Sequence, residues 1–158
     1  MMRWLSDPRL SVLCRLFVGI AFVWAGVVKL ADPAAFQDGL INYRILPAGA
    51  IAPIAVTLPP IEVAAGLCLI VGFLCRGSAL VATSLLAIFT IAIVQAIVRG
   101  INIECGCFGA GGGAAAGMGW PEIVRDLVML GAATHVLLYD RGLLSVERLR
   151  RARSSEEP

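Results

Sequence analysis

Apolar residues follow one another along this chain in long runs, separated by short polar or glycine- and proline-rich stretches. The first run goes from about Leu10 to Ala31, with Arg15 near its start and Lys29 near its end. The second goes from about Ala48 to Cys75 and contains Pro53, Pro59, Pro60 and one carboxylate, Glu62. The third, Ser78 to Val98, carries no charge, and the fourth, Pro121 to Tyr139, has Glu122, Arg125 and Asp126 in its first two turns. About 20 apolar residues rise about 30 Å as a helix, the thickness of a bilayer's hydrocarbon core. Lipid offers backbone amides no partner, so each run is predicted to be a helix. The pattern therefore predicts an all-α integral membrane four-helix bundle. Its spans lie near 10–31, 48–75, 78–98 and 121–139, and a short basic and polar tail follows over 141–158.

Composition agrees with that class. Hydrophobic residues make up 59% of the 158 and charged residues 15%, against about 45–50% and about 25% in an ordinary soluble domain. A soluble domain would have to expose the excess, and a disordered chain or a coiled coil would not contain it. A net charge of +2 gives no footing for nucleic acid, so the lipid bilayer is the expected environment. The first run is longer than the 7–15 residues of a signal peptide's apolar core, and the following Lys-Leu-Ala-Asp-Pro is a poor cleavage context, so it reads as a retained span.

The distribution of charge gives the spans a direction. Arg3, Arg9, Arg15, Arg76, Arg141, Arg148, Arg150, Arg151 and Arg153 make nine cations on the side of the termini. Lys29, Arg44, Arg99 and Arg125 make four on the other. The positive-inside rule then puts both termini in the cytoplasm and turns loops near 32–48 and 99–120 outward from the cytoplasmic membrane. Trp4, Tyr43 and Trp120 fall near span ends, where aromatic rings suit the headgroup zone.

The second outward loop reads Glu104-Cys105-Gly106-Cys107-Phe108-Gly109. Two thiols separated by glycine can close a small disulfide ring, since glycine tolerates unusual backbone angles. Such a ring departs from preferred disulfide geometry and is the more easily reduced. Outside the cytoplasm the pair meets an oxidising compartment, which favours a redox pair exchanging electrons with another protein's dithiol. A structural disulfide, a soft-metal site for Cu(I) and inert free thiols remain open readings. Two ligands are too few for a closed zinc site, and the outward loops hold no histidine. Gly109 to Gly117 lacks the Lys-Ser/Thr of a phosphate-binding loop and reads as a connector. Cys14, Cys68 and Cys75 read as buried small hydrophobes, with Cys68 and Cys75 seven residues apart on one helix, too far to bond.

An ionisable group inside a span is costly and points to function or to a partner. Pro59 and Pro60 should begin or kink the helix, which would put Glu62 about one turn deep, level with Lys29. A Lys29–Glu62 pair follows, with Arg125 and Asp126 as further partners beneath the cysteine loop. The competing reading is a purely structural ion network. His135 reads as a packing residue. Ala21, Ala25, Gly26, Gly66, Gly72, Gly131 and Ala132 supply small contacts of the kind on which membrane helices pack.

Phe22-Val-Trp-Ala-Gly-Val-Val-Lys-Leu-Ala-Asp-Pro33, Tyr43-Arg-Ile-Leu-Pro47, Leu58-Pro-Pro-Ile-Glu62 with Gly66, and Cys105-Gly-Cys-Phe-Gly109 together resemble the methylamine-utilisation MauE family. That family belongs with the DoxX-like four-helix membrane proteins, and the likeness covers about residues 10–140. The resemblance implies a redox-associated protein of the cell envelope. It also implies maturation of an exported, disulfide-containing client alongside a thioredoxin-like partner, with methylamine dehydrogenase as the precedent. On that reading Cys105 and Cys107 are the redox couple, as a component of a thiol–disulfide oxidoreductase system, and Lys29, Glu62, Arg125 and Asp126 support them. No cofactor and no metal is expected: there is no paired intramembrane histidine for haem. Two rival classes stand beside it: a non-catalytic scaffold for a thioredoxin-like protein, and a small-molecule or metal-handling membrane protein.

Overall fold

A computed structural model of the chain describes residues 8–100 and 120–139. Five helices account for them: α1 Pro8–Ala31, α2 Pro33–Asn42, α3 Ala48–Val71, α4 Cys75–Val98 and α5 Trp120–Tyr139. Among the described residues there is no strand. Three helices, Arg9–Ala31 within α1, α3 and α4, are long and apolar enough to cross a membrane, and this is a multi-pass membrane protein. The shorter α5 carries Glu122, Arg125 and Asp126.

Each of the four long helices neighbours two others: α1 lies on α3 and α5, and α4 lies on α5 and α3. The core they enclose is made by Val18 and Phe22 of α1, Leu69 of α3, Ala82 and Leu86 of α4, and Met129 and Val136 of α5. The outward faces are large and apolar, including Phe17, Ile20 and Trp24 on α1 and Leu80, Ile88 and Ile91 on α4. Water would penalise such faces, whereas lipid does not.

The closest association is α1 with α3, and three glycines set it. A methyl group on Gly66 would lie 2.7 Å from the carbonyl oxygen of Gly19, and one on Gly19 2.9 Å from that of Gly66. One on Gly26 would lie 2.9 Å from the Pro59 carbonyl oxygen and 2.6 Å from Val63. Gly19 against Gly66 and Gly26 against Pro59 is an antiparallel register, repeated seven residues on. Lipid tails give helices no hydrophobic reason to associate, so backbone approach through small residues supplies the attraction. Gly26 and Gly66 act as expected, Gly19 joins them, and Gly131 does not: it is exposed, with nothing within 4 Å of an added methyl.

Several boundaries differ from the apolar pattern. The second run ends at Val71, not Cys75, because Gly72 takes the left-handed conformation (φ 78°) and its N–H donates to the Cys68 carbonyl. Leu74 is also left-handed (φ 48°), and α4 starts at Cys75. Cys68 and Cys75 therefore sit on different helices, and neither they nor Cys14 form a disulfide in the structure. Pro59 and Pro60 neither begin α3 nor end it, since the helix runs unbroken from Ala48 through Pro53, Pro59 and Pro60. Proline is tolerated inside membrane helices, and one turn past Pro53 Thr57 Oγ1 donates back to the Pro53 carbonyl at 2.7 Å. Glu62 is thus the fifteenth residue of α3, about 21 Å along it at 1.5 Å per residue. The first outward loop contains α2, started by Asp32, whose Oδ1 accepts the Ala35 N–H at 3.0 Å, and by proline at the first helical position.

Gly66→Ala and Gly26→Ala are each expected to destabilise the folded protein in detergent by about 1–3 kcal/mol through overpacking. Gly131→Ala should leave stability unchanged or raise it by up to about 1 kcal/mol through helix propensity. Thermal unfolding of the three variants checks both signs.

Candidate functional site

Lys29 stands three residues from the C-terminal end of α1, and Glu62 lies beyond the middle of α3. Side chains lean toward the N-terminus of their own helix. In an antiparallel pair the two therefore lean toward each other, so Lys29 reaches back along α1 while Glu62 reaches up to meet it. The ammonium Nζ donates to both carboxylate oxygens, at 2.6 Å to Oε1 and 2.7 Å to Oε2. Both side chains are 2% exposed. Two further helices close around the ammonium, with the Phe36 ring of α2 centred 5.3 Å away and the Phe89 ring of α4 centred 5.0 Å away. Both distances lie in the range of cation–π attraction.

The second charge pair belongs to α5. Asp126 is buried at 3% exposure. Its Oδ1 accepts from Arg125 Nε at 3.2 Å and Nη2 at 3.0 Å, and the arginine side chain itself is 37% exposed. Lys29, Glu62 and Asp126 line one small cavity with Phe22, Phe89 and Met129. Its volume is ≈ 20 Å³, room for about one water molecule. The site thus gathers two cations and two carboxylates from α1, α3 and α5. Opposite charges at contact distance offset the large cost of taking each from water.

The cavity lies toward the end at which α1 and α4 finish and α5 begins, whereas α3 starts about 21 Å beyond Glu62 in that direction. The chain between α4 and α5 therefore leaves and returns at that end. Cys105 and Cys107, the expected redox couple, and Glu104 lie in that stretch and outside the described residues. Of the expected supporting residues, Lys29, Glu62 and Asp126 meet at one cavity and Arg125 joins them through Asp126. Phe36 and Phe89 complete the site without being among the residues expected from the sequence. Phe89 sits in an uncharged apolar run that gives no sign of a cationic neighbour. Phe36 was findable from Asp32-Pro33, which starts a helix and places Phe36 in its first turn.

Toward the opposite end, Arg15 is buried at 3% exposure and its Nη1 donates to the Cys75 sulfur at 3.6 Å, tying α1 to the start of α4. His135 is half-buried and its ring lies 5.1 Å from that of Tyr139, one helical turn on. Among the described residues no three of His, Cys, Asp and Glu converge as a metal ion would require.

Removing one partner of the buried pair leaves the other charge uncompensated in a dry site. Lys29→Met and Glu62→Gln are each expected to cost about 3–5 kcal/mol. The measurable result is a large fall in folded protein recovered from membranes, with Arg76→Gln, an exposed position on α4, as the unaffected control.

Comparison with known proteins fits the same stretch. The family model for methylamine utilisation protein MauE matches residues 7–139. The methylamine utilization protein MauE of Paracoccus denitrificans is 32% identical over 82% of this chain and 69% of its own length. That of Methylophilus methylotrophus is 34% identical over 65% of this chain and 54% of its own. That of Paracoccus versutus is 33% identical over 82% and 71%. The chain thus matches from about half to about seven-tenths of the length of these relatives. No solved structure matches it. With a family match that takes in every described helix, the chain belongs to the methylamine utilisation protein MauE family.

Proposed function

We propose that this protein acts in methylamine utilisation as a four-span protein of the cytoplasmic membrane that carries out thiol–disulfide exchange on its outer face. Residues 1–140 form the membrane domain, a DoxX-like four-helix bundle with α1, α3, α4 and α5 as its spans. Both termini and the 141–158 tail are cytoplasmic. Cys105 and Cys107 form the working couple. The observation that carries the reading is the Cys105-Gly106-Cys107 element lying inside the stretch matched to the family, 7–139. Its support from the structure is that the chain holding the pair leaves and returns at the end of the assembly where the buried charges gather.

The exchange follows from sulfur chemistry. A thiolate of the dithiol partner attacks one sulfur of the disulfide partner, forming a mixed disulfide and releasing the other sulfur as thiolate. The second thiol of the attacking pair then attacks the first one's sulfur in the mixed disulfide and releases the partner's remaining sulfur as a thiol, so two electrons and two protons pass from dithiol to disulfide. The Cys105–Cys107 couple exchanges in this way with a thioredoxin-like envelope protein and with a disulfide-containing client whose maturation it supports. Glu104 stands beside Cys105 in the sequence, and a carboxylate there disfavours the Cys105 thiolate and favours Cys107 as attacker. Lys29, Glu62, Asp126 and Arg125 support the couple by holding α1 and α3 against α5, the helix that follows the cysteine segment.

Cys105→Ser and Cys107→Ser single variants, expressed in cells growing on methylamine, are expected to trap a mixed disulfide. It should be visible as a heavier band on a non-reducing gel that collapses on reduction. The double variant should trap nothing and lose methylamine-dependent growth. A double variant that inserts at wild-type level and supports growth would overturn the exchange and favour a scaffold or a channel.

A further inference from the structure

The short helix α2 has a light hold on the rest of the protein. Phe36 is its one buried side chain, and Ala34, Gln37, Asp38 and Ile41 are exposed. Its main neighbour is α3, with a smaller contact to α1. Yet that single anchor is the residue whose ring stands over the Lys29 ammonium. Both ends of α2 are suited to turning. It starts at Asp32, which interrupts the helical path from α1 with φ −136° and ψ 79°. Just beyond its end, Arg44 has φ 50°, the left-handed region that non-glycine residues seldom hold.

From these features we propose that α2 is a lid over the Lys29–Glu62 site, closed in this structure by Phe36 and opened by swinging about Asp32 and Arg44. As the connection between α1 and α3, α2 lies at a membrane face, so opening admits water to the buried pair from that side. Closed, the pair sits in a dry environment where its attraction is strong; open, water weakens it and frees the ammonium. Relief of the left-handed Arg44 backbone favours opening, and burial of the Phe36 ring opposes it. The site's charges are thereby switched by a segment that the membrane does not hold in place. The lid stands on the geometry of α2 and does not depend on cysteine exchange.

Lysine chemistry tests this cleanly, because Lys29 is the sole lysine in the sequence. The full-length protein in sealed lipid vesicles is treated with a membrane-impermeant sulfonated N-hydroxysuccinimide ester. Acylation of the Lys29 peptide is followed by mass spectrometry against the protein fully labelled in denaturant. Phe36→Ala should label about tenfold faster than wild type or more. Phe89→Ala, which removes the ring on α4 but leaves α2 in place, should label at close to the wild-type rate. Equal rates for Phe36→Ala and wild type overturn the lid. So do equal increases in both variants, which would mean only that a ring contact was lost. Hydrogen exchange of the unmodified protein keeps the test open if Phe36→Ala fails to fold. Under the proposal α2 amides exchange well ahead of those of α1 and α3, and equal protection of the three helices overturns it.

Discussion

A lysine and a glutamate, each 2% exposed and bonded through both carboxylate oxygens, form the interaction on which the rest of this protein depends. Either charge alone would be prohibitively costly among apolar helices. Together they are tolerable only while α1 and α3 keep the register that brings them into contact. Gly19, Gly26 and Gly66 permit that register by removing the side chains that would hold the backbones apart. Close backbone approach and the ion pair are therefore one arrangement described at two depths. The packing sets the distance and the charges forbid sliding, since a shift of one turn would break the pair.

The choice of lysine is informative. The chain has 13 lysines and arginines and Lys29 is the sole lysine among them, so a cation other than arginine stands at the one place where α1, α2, α3 and α4 meet around it. Arginine would bring a broad planar fork. Lysine brings a compact charge that fits between one carboxylate and the rings of Phe36 and Phe89. Asp126 then faces the same cavity from α5, which lets α5, with its three charges near its start, join the assembly by polar as well as apolar contact. At the other end Arg15 and Cys75 link α1 to α4. Polar contacts thus stand at two levels of the assembly, with Val18, Phe22, Leu69, Leu86 and Met129 packed between and against them.

Much of this architecture is legible in the sequence, and the reasons are physical. Unbroken apolar runs identified the spanning helices α1, α3 and α4, because lipid leaves the backbone no alternative. The Lys29–Glu62 pair was legible because a buried charge needs a partner and each apolar run offered few. Less legible were features decided by backbone conformation. Gly72 and Leu74 turn the chain inside a run with no polar break, so the end of α3 and the placement of Cys75 on α4 were hidden. Pro59 and Pro60 looked like a helix boundary, but the helix continues through them, with Pro59 buried. Gly131 looked like a packing residue only because small residues in spans usually are. Asp32-Pro33 marks the helix that carries Phe36, but neither Phe36 nor Phe89 shows its contact with a cation in the sequence, since an aromatic ring reads as core whether or not a charge lies over it.

Lys29 and Glu62 act as a single unit whose value lies in the pair. A double-mutant cycle on unfolding free energy in detergent, with Lys29→Met, Glu62→Met and the combined variant, measures that unit directly. The double variant is expected to recover most of what either single change loses, with a coupling energy of about 2 kcal/mol or more. Losses that simply add would mean that the two charges do not depend on one another, and would contradict that expectation.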